Sequence, residues 1–128
     1  MPLIRIEILK GHSKEYKKTM FQCVHDALVN ALSIPDDDRF QRIYELDREN
    51  FEFNDSKSDN FTLIELAFLP GRSKEMKRNA ITEIARLLEE RLGIAPKDVI
   101  IIINEPHLDN WGFSGKQASD LELRYKKE

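Results

Sequence analysis

The chain repeats itself at a spacing of 60 residues without a gap, and that repeat limits the folds open to it more than any other feature. Gly11-His12-Ser13-Lys14-Glu15-Tyr16-Lys17 lies on Gly71-Arg72-Ser73-Lys74-Glu75-Met76-Lys77. The same offset places Leu3 on Leu63, Ile4 on Ile64 and Leu9 on Leu69. It runs on through Leu28/Leu88, Leu32/Leu92, Ile34/Ile94, Asp38/Asp98, Ile43/Ile103, Asn50/Asn110 and Phe53/Phe113. One register kept over that length marks two copies of one unit. The 128 residues suit one domain and are too short for two ordinary ones. The expected organisation is a single domain of two repeats, residues 1–60 and 61–120, with a short polar tail at 121–128.

Each unit carries the same pattern of elements. Over residues 3–9, Ile4, Ile6 and Ile8 alternate with Arg5 and Glu7, which is the period of a strand. Residues 62–69 repeat the pattern more apolarly. Gly11 and Gly71 mark turns, and Ser13 and Ser73 stand as N-caps, with Glu15 and Glu75 in the first helical turn. Tyr16, Met20, Phe21, Val24, Ala27, Leu28, Ala31 and Leu32 then form a helical stripe, which Met76, Ala80, Ile81, Ile84, Leu87, Leu88 and Leu92 repeat. Pro35 and Gly93-Ile94-Ala95-Pro96 end the helices, and strands follow at about 40–46 and 98–104. The order is βαβ twice, and each crossover joins a parallel strand pair. The expected fold class is α+β: tandem βαβ units forming a four-stranded mixed sheet with two helices on one face.

That layout leaves one face of the sheet bare, because two helices cover only one face of four strands. Val99-Ile100-Ile101-Ile102-Ile103 is nevertheless apolar on both faces, as a strand buried on both sides is. Another copy of the chain is the simplest cover, so an obligate oligomer is expected.

Several function classes drop out on composition. Twenty Lys and Arg against 23 Asp and Glu leave a formal charge of −3, without the excess of cations that nucleic-acid binding needs. The longest unbroken apolar run, Val99 to Ile103, is far short of the ~20 residues that cross a bilayer. Met1-Pro2-Leu3-Ile4-Arg5 has no signal-peptide apolar region, and Pro2 stands where a myristoylation signal needs glycine. A single cysteine, Cys23, allows no intrachain disulfide. A cytoplasmic protein with neither a nucleic-acid nor a membrane partner is the expectation.

Few residues invite chemistry. His12, His25 and His107 lie far apart, with no metal-ligand spacing to carboxylates or to Cys23, so they read as surface or helix-face residues and no metal is expected. Cys23 reads as a buried helix residue. No GxGxxG, Walker or GxSxG motif occurs. Asp36-Asp37-Asp38 reads first as a solvated turn or cap. Asp38 alone recurs, as Asp98, which favours a shared structural role unless one copy faces a pocket. Pro2 says more. As a strand-initiating residue it needs no ladder hydrogen bond. Once Met1 is removed, however, its nitrogen is a secondary amine; an α-amino group titrates near ~8 in the reference case and serves as base or acid around neutral pH.

Met1-Pro2-Leu3, Ile34-Pro35-Asp36-Asp37-Asp38-Arg39-Phe40-Gln41, Gly71-Arg72-Ser73 followed by Glu75 and Lys77, and Asp109-Asn110-Trp111-Gly112-Phe113 occur in that order. With the two βαβ units, this set resembles the tautomerase superfamily, and within it the group around malonate semialdehyde decarboxylase, over nearly the whole chain. The resemblance implies a cofactor-independent enzyme assembled as a homotrimer. It makes Pro2 the catalytic amine, Arg72 the guanidinium that binds a substrate carboxylate, and Asp38 the acid that orients water or substrate. Trp111 and Phe113 become the apolar wall. The implied activity is keto–enol proton transfer on small 2-oxo acids. An arginine offers a planar fork to a carboxylate, and its charge depresses the pKa of a nearby amine.

In one place the chain departs from that group, which carries a second arginine two residues before the one matching Arg72; here the position is Pro70. Arg39 is the candidate for a second substrate-binding charge, with Arg42 as the other choice. Decarboxylation or hydration of a small 3-oxo acid stands as an alternative activity, and a non-catalytic assembly protein of the same fold as another. The repeat adds that His12 stands where Arg72 does, and Phe51-Glu52-Phe53 where Trp111-Gly112-Phe113 does. The first unit holds the amine; the second holds the clamp and the indole.

Overall fold

A computed structural model describes residues 2–123; Met1 and residues 124–128, most of the expected tail, lie outside the described residues. The alternation at the start of the chain becomes β1 (Pro2–Leu9), with Ile4, Ile6 and Ile8 buried. Helix α1 (Lys14–Leu32) follows, then β2 (Gln41–Leu46). The second unit supplies β3 (Thr62–Phe68), α2 (Lys74–Leu92) and β4 (Val99–Asn104). Both helices start as their sequences suggest. Ser13 Oγ accepts the Tyr16 N–H at 3.0 Å, and Ser73 Oγ accepts the Met76 N–H at 3.1 Å. Both end in a left-handed residue, at Ser33 and Gly93, whose N–H groups return to Val29 and Glu89 carbonyls.

The sheet order is β2-β1-β3-β4, with β1/β2 and β3/β4 parallel and β1/β3 antiparallel. The 60-residue offset persists in three dimensions. Ile6 pairs with Ile43 as Leu66 pairs with Ile103, and Lys17–Glu45 at 2.8 Å has its counterpart in Lys77–Glu105 at 2.5 Å. Arg5 lies opposite Glu65, its own equivalent, and the two form an ion pair. A pseudo-twofold axis therefore passes between them, and the two halves of the chain form the two side-by-side halves of the sheet.

Both helices pack on the face that presents Ile4, Ile6, Ile8, Ile64, Leu66 and Phe68, and Ile43, Val99, Ile101 and Ile103 of the outer strands join that core. The fully buried aliphatic side chains among them, such as Ile6, Ile64 and Leu66, each contribute about 1.5–3 kcal/mol over an exposed one. The opposite face is open. Tyr44, Ile100 and Ile102 are exposed there by 45%, 41% and 42%, so β4 is apolar on both faces as expected, with only one face covered within the chain. No helix among the described residues is long and apolar enough to cross a membrane.

One element is new. A two-stranded ribbon, β5 (Gly112–Phe113) and β6 (Lys116–Gln117), turns through Ser114 and Gly115, which both have positive φ. Two left-handed residues in succession match the right-handed twist of a tight hairpin. Ser-Gly between Phe113 and Lys116 was the signal for it in the sequence.

Candidate active site

Strand direction decides which distant residues meet. β1 runs antiparallel to β3 and parallel to β2, while β3 runs parallel to β4. The starts of β1 and β2 therefore meet the ends of β3 and β4. That end of the sheet gathers Pro2, the loop bearing Asp38 and Arg39, the turn bearing Arg72, and the segment bearing Trp111 and Phe113.

Pro2 is buried and lies opposite Phe68, which is fully buried. As the first strand residue it loses no ladder bond. Beyond Phe68 the chain turns at Gly71, whose φ of 113° is open to glycine and costly to other residues. This turn brings Arg72 back over the strand end. Its guanidinium carbon lies 5.2 Å from the centre of the Phe68 ring, and Nη1 donates to the Leu69 carbonyl at 3.3 Å. Arg72 is only 5% exposed. Pro2 and Arg72 thus both neighbour Phe68, the first as its strand partner and the second over its ring. A guanidinium held there, away from bulk water, attracts an anion far more strongly than a surface arginine does.

The aromatic wall lies one register step away. Trp111 is nearly buried, donates Nε1–H to the Pro106 carbonyl at 3.0 Å, and stacks on Phe113 with ring centres 5.8 Å apart. The pair packs with Leu69, Ala118, Leu108 and Leu123, and against Leu3 and Ala67, which pair next to Pro2 and Phe68. Because strand side chains alternate, Pro2 and Phe68 point toward the helices, and Leu3 and Ala67 toward the open face. Arg72 and the aromatic wall consequently flank this sheet end from its two sides.

The two repeated aspartates separate in role. Asp98 is buried and accepts from both the Ser58 N–H, at 2.7 Å, and the Ser58 hydroxyl, at 2.5 Å. Burial alone raises its pKa, but the Ser58 hydrogen bonds and the nearby Lys97 and Lys57 hold it below the ordinary aspartate value. Asp98 thus ties the 57–60 loop to β4. Its contribution is present above the ordinary aspartate pKa and is lost as pH falls through the lower native value. Asp98→Ala is expected to cost about 2–3 kcal/mol at neutral pH. Urea unfolding across the acid range checks it: the variant's stability should fall less steeply than the wild type's, and identical slopes would contradict the assignment.

Asp38 is half-buried, in a turn whose N–H donates to the Pro35 carbonyl at 3.0 Å. It belongs to the Pro2 end, since β2 begins three residues later and the Ile4 N–H donates to Phe40. Arg39 follows Asp38, but its guanidinium turns to α1 and donates to Gln22 Oε1 at 3.0 Å, so the structure engages this candidate elsewhere. Arg42 lies on the open face, where it lines a cavity of about 150 Å³ with Leu3, Arg5, Glu65, Ala67 and Asn104.

The other end of the sheet shows what the second copy became. Thr62 stands for Pro2 and donates its hydroxyl to the Asn60 carbonyl. His12, in place of Arg72, stacks on Tyr16 with ring centres 3.9 Å apart. Phe51 and Phe53 pack on Phe61, at 5.5 and 5.0 Å. An aromatic cluster and a buried hydroxyl occupy that end.

Three residues at or near the site escape sequence reasoning: Phe68, Pro106 and Asn104. Phe68 reads as plain core. Pro106 acts through its carbonyl, which no side-chain pattern reveals. Asn104, the polar residue that ends an all-apolar strand, was the one with a visible signal. His25, read as a surface or helix-face residue, lies on α1, is 1% exposed and contacts Asp36.

Residues 38–114 match a family model described as tautomerase enzyme, and residues 2–59 match a second model of the same description. Probable tautomerase YusQ of Bacillus subtilis (strain 168) is 23% identical over 127 residues, covering 95% of this chain and 100% of that one. A solved malonate semialdehyde decarboxylase, studied for its decarboxylase and hydratase activities, is 26% identical, with a TM-score of 0.82 over 94% of this chain and 99% of that one. A fused 4-OT solved as an asymmetric trimer shares the fold at 19% identity, with a TM-score of 0.83 over 92% of this chain and 97% of that one. With more than half its length matched by one family model, and the sheet, helices and repeat in agreement, this chain belongs to the tautomerase enzyme family.

Proposed function

We propose that the chain is an isomerase that uses the Pro2 nitrogen to move a proton between oxygen and carbon in small enol carboxylates, giving 2-oxo acids. The observation that carries this reading is the buried Arg72 guanidinium lying over Phe68, the strand partner of Pro2. Arg72 pairs with the substrate carboxylate through its planar fork. Its charge favours the neutral form of the proline amine after Met1 is removed. That amine takes the enol O–H proton and delivers it to C3, the carbon beyond the hydroxyl-bearing C2: the O–H bond breaks, a C3–H bond forms, the C2=C3 double bond becomes C2=O, and no electrons leave the substrate. Asp38 orients the substrate or a water, while Trp111 and Phe113 exclude bulk solvent, which strengthens the charge interactions. No cofactor enters the scheme, and a reducing cytoplasm suits the single, buried Cys23.

Phenylenolpyruvate ketonisation, followed across pH on protein whose intact mass shows Met1 gone, tests the reading. Turnover with an acid limb that reports a titrating amine is expected. Absence of turnover from Met1-free protein overturns it. A second reading, decarboxylation or hydration of a 3-oxo acid, draws on the malonate semialdehyde decarboxylase neighbour. There Pro2 stays protonated and polarises a carbonyl. Pro70, in place of a second arginine, disfavours it.

The open face leads to a companion proposal, a homotrimer that covers Ile100 and Ile102. The fused 4-OT trimer supports that stoichiometry. Ile102→Glu places a charge on this face and is expected to reduce the light-scattering mass from three chains to one. A wild-type mass of one chain at micromolar concentration would contradict the assembly.

A further inference from the structure

The loop between α1 and β2 is fastened to the helix by three side-chain contacts that bracket Asp38. His25 Nε2 lies 3.2 Å from Asp36 Oδ1, two residues before Asp38. Arg39, one residue after it, donates to Gln22 Oε1 at 3.0 Å, and Gln41 Nε2 donates to the Phe21 carbonyl at 2.8 Å. The helix residues involved, 21, 22 and 25, share one face of α1 by their i, i+1, i+4 spacing. Gln22 is itself held, since its amide donates to Asp26 Oδ1 at 2.7 Å and Asp26 Oδ2 accepts from Arg91 of α2 at 2.7 Å. The loop is thereby referred to both helices.

The repeat supplies an internal control. In the second unit the equivalent loop reaches β4 with none of these residues. Ala85 stands for His25, Pro96 for Asp36, Thr82 for Gln22, Val99 for Arg39 and Ile101 for Gln41. There a short 3-10 turn at Pro96–Asp98 and the Ser58 bonds to Asp98 close the loop. The second connection is thus closed by polar contacts to the 56–58 loop, whereas the first is fastened to its own helix. The helix-anchored arrangement belongs to the copy whose aspartate lies at the end bearing Pro2.

We infer that His25, through Asp36, is a positioning residue for Asp38: the contact holds the loop so that the Asp38 carboxylate is presented toward Pro2 in a fixed geometry. The inference rests on the proposed role of Asp38. His25 is almost wholly buried, whereas the Asp36 side chain is 91% exposed, so the helix provides a rigid anchor and the loop supplies the partner. A small displacement of an orienting group lowers turnover without abolishing it.

Asp36→Ala tests this at an exposed position, where folding is not at risk. With phenylenolpyruvate, its kcat is expected to fall on the order of tenfold with little change in KM, since misplacement of Asp38 affects the proton-transfer geometry and not the Arg72 clamp. Asp36→Asn keeps Oδ1 as an acceptor and should restore most of kcat, a rescue that a general loop-stability role would not require. In an Asp38→Ala background, Asp36→Ala should have no further effect, because both act through one group. Unchanged kcat in Asp36→Ala, or additive losses in the double variant, overturns the inference while leaving the proposed function standing. Unchanged kcat in Asp38→Ala overturns the role assigned to Asp38 and the inference with it.

Discussion

Arg72→Ala is expected to lower kcat/KM for enol carboxylates by about 10²–10³-fold, with most of the loss in KM. The magnitude follows from removing one partner of a buried, hydrogen-bonded charge pair, which costs about 2–5 kcal/mol at roughly 1.4 kcal/mol per tenfold. Arg72 meets the conditions for the middle of that range: it is 5% exposed, and its guanidinium lies over the Phe68 ring. Arg72→Lys separates charge from shape. An ammonium keeps the attraction but loses the planar fork and its stacking on the ring, so an intermediate loss of about tenfold is expected. Steady-state kinetics on phenylenolpyruvate, beside a circular dichroism melt to verify folding, would check both. A folded Arg72→Ala protein with wild-type KM would remove Arg72 from the site.

The second large effect concerns Pro2. Pro2→Ala is expected to reduce kcat by about 10²–10⁴-fold, the range contributed by a positioned general acid or base. Alanine leaves a primary α-amine on the same strand, so any residual rate reports that weaker, more mobile base. Protein that retains Met1 should be inactive altogether, because the Pro2 nitrogen is then an amide with no basic lone pair. Comparing the three preparations by intact mass and kcat separates loss of the ring from loss of the amine. Full activity in Met1-retaining protein would exclude the Pro2 nitrogen from the chemistry, whatever the result with Pro2→Ala.

Much of the fold was legible because it depends on local period and on repetition. Alternation at Ile4, Ile6 and Ile8 and the stripe from Met20 to Leu32 are determined by which face must leave water, and the structure buries those residues. Ser13 and Ser73 cap as read because a cap is a contact over three residues. The 60-residue register carried through the strand pairs because both copies solve one packing problem. The hairpin at 112–117 was less visible, as its strands are two residues each and show no period.

The candidate site was legible in residue type more than in arrangement. Pro2, Arg72, Asp38, Trp111 and Phe113 could be singled out, but what orders them is Phe68 between Pro2 and Arg72, and Leu3 and Ala67 beneath the aromatic wall. Those are apolar strand residues whose neighbours depend on the β1–β3 register. Arg39 illustrates the same limit in reverse. Adjacent to Asp38 in sequence, it looked like a second clamp; the direction of its side chain, toward Gln22, depends on how α1 crosses the sheet. Asp38 and Asp98, equivalent by offset, were divided by Ser58, a residue 40 positions from Asp98.

The sequence by itself determined the doubled βαβ plan, the helix starts, the buried face of each strand and the bare second face, since all of these follow from spacing along the chain. Only the tertiary structure decided that the two copies run antiparallel about the Arg5–Glu65 pair, and hence that one end of the sheet holds both Pro2 and Arg72 while the other carries the cluster of Phe51, Phe53 and Phe61. The physical reason is the antiparallel pairing of β1 with β3. It places the start of β1 against the end of β3, so the candidate residues of the two copies meet at one place.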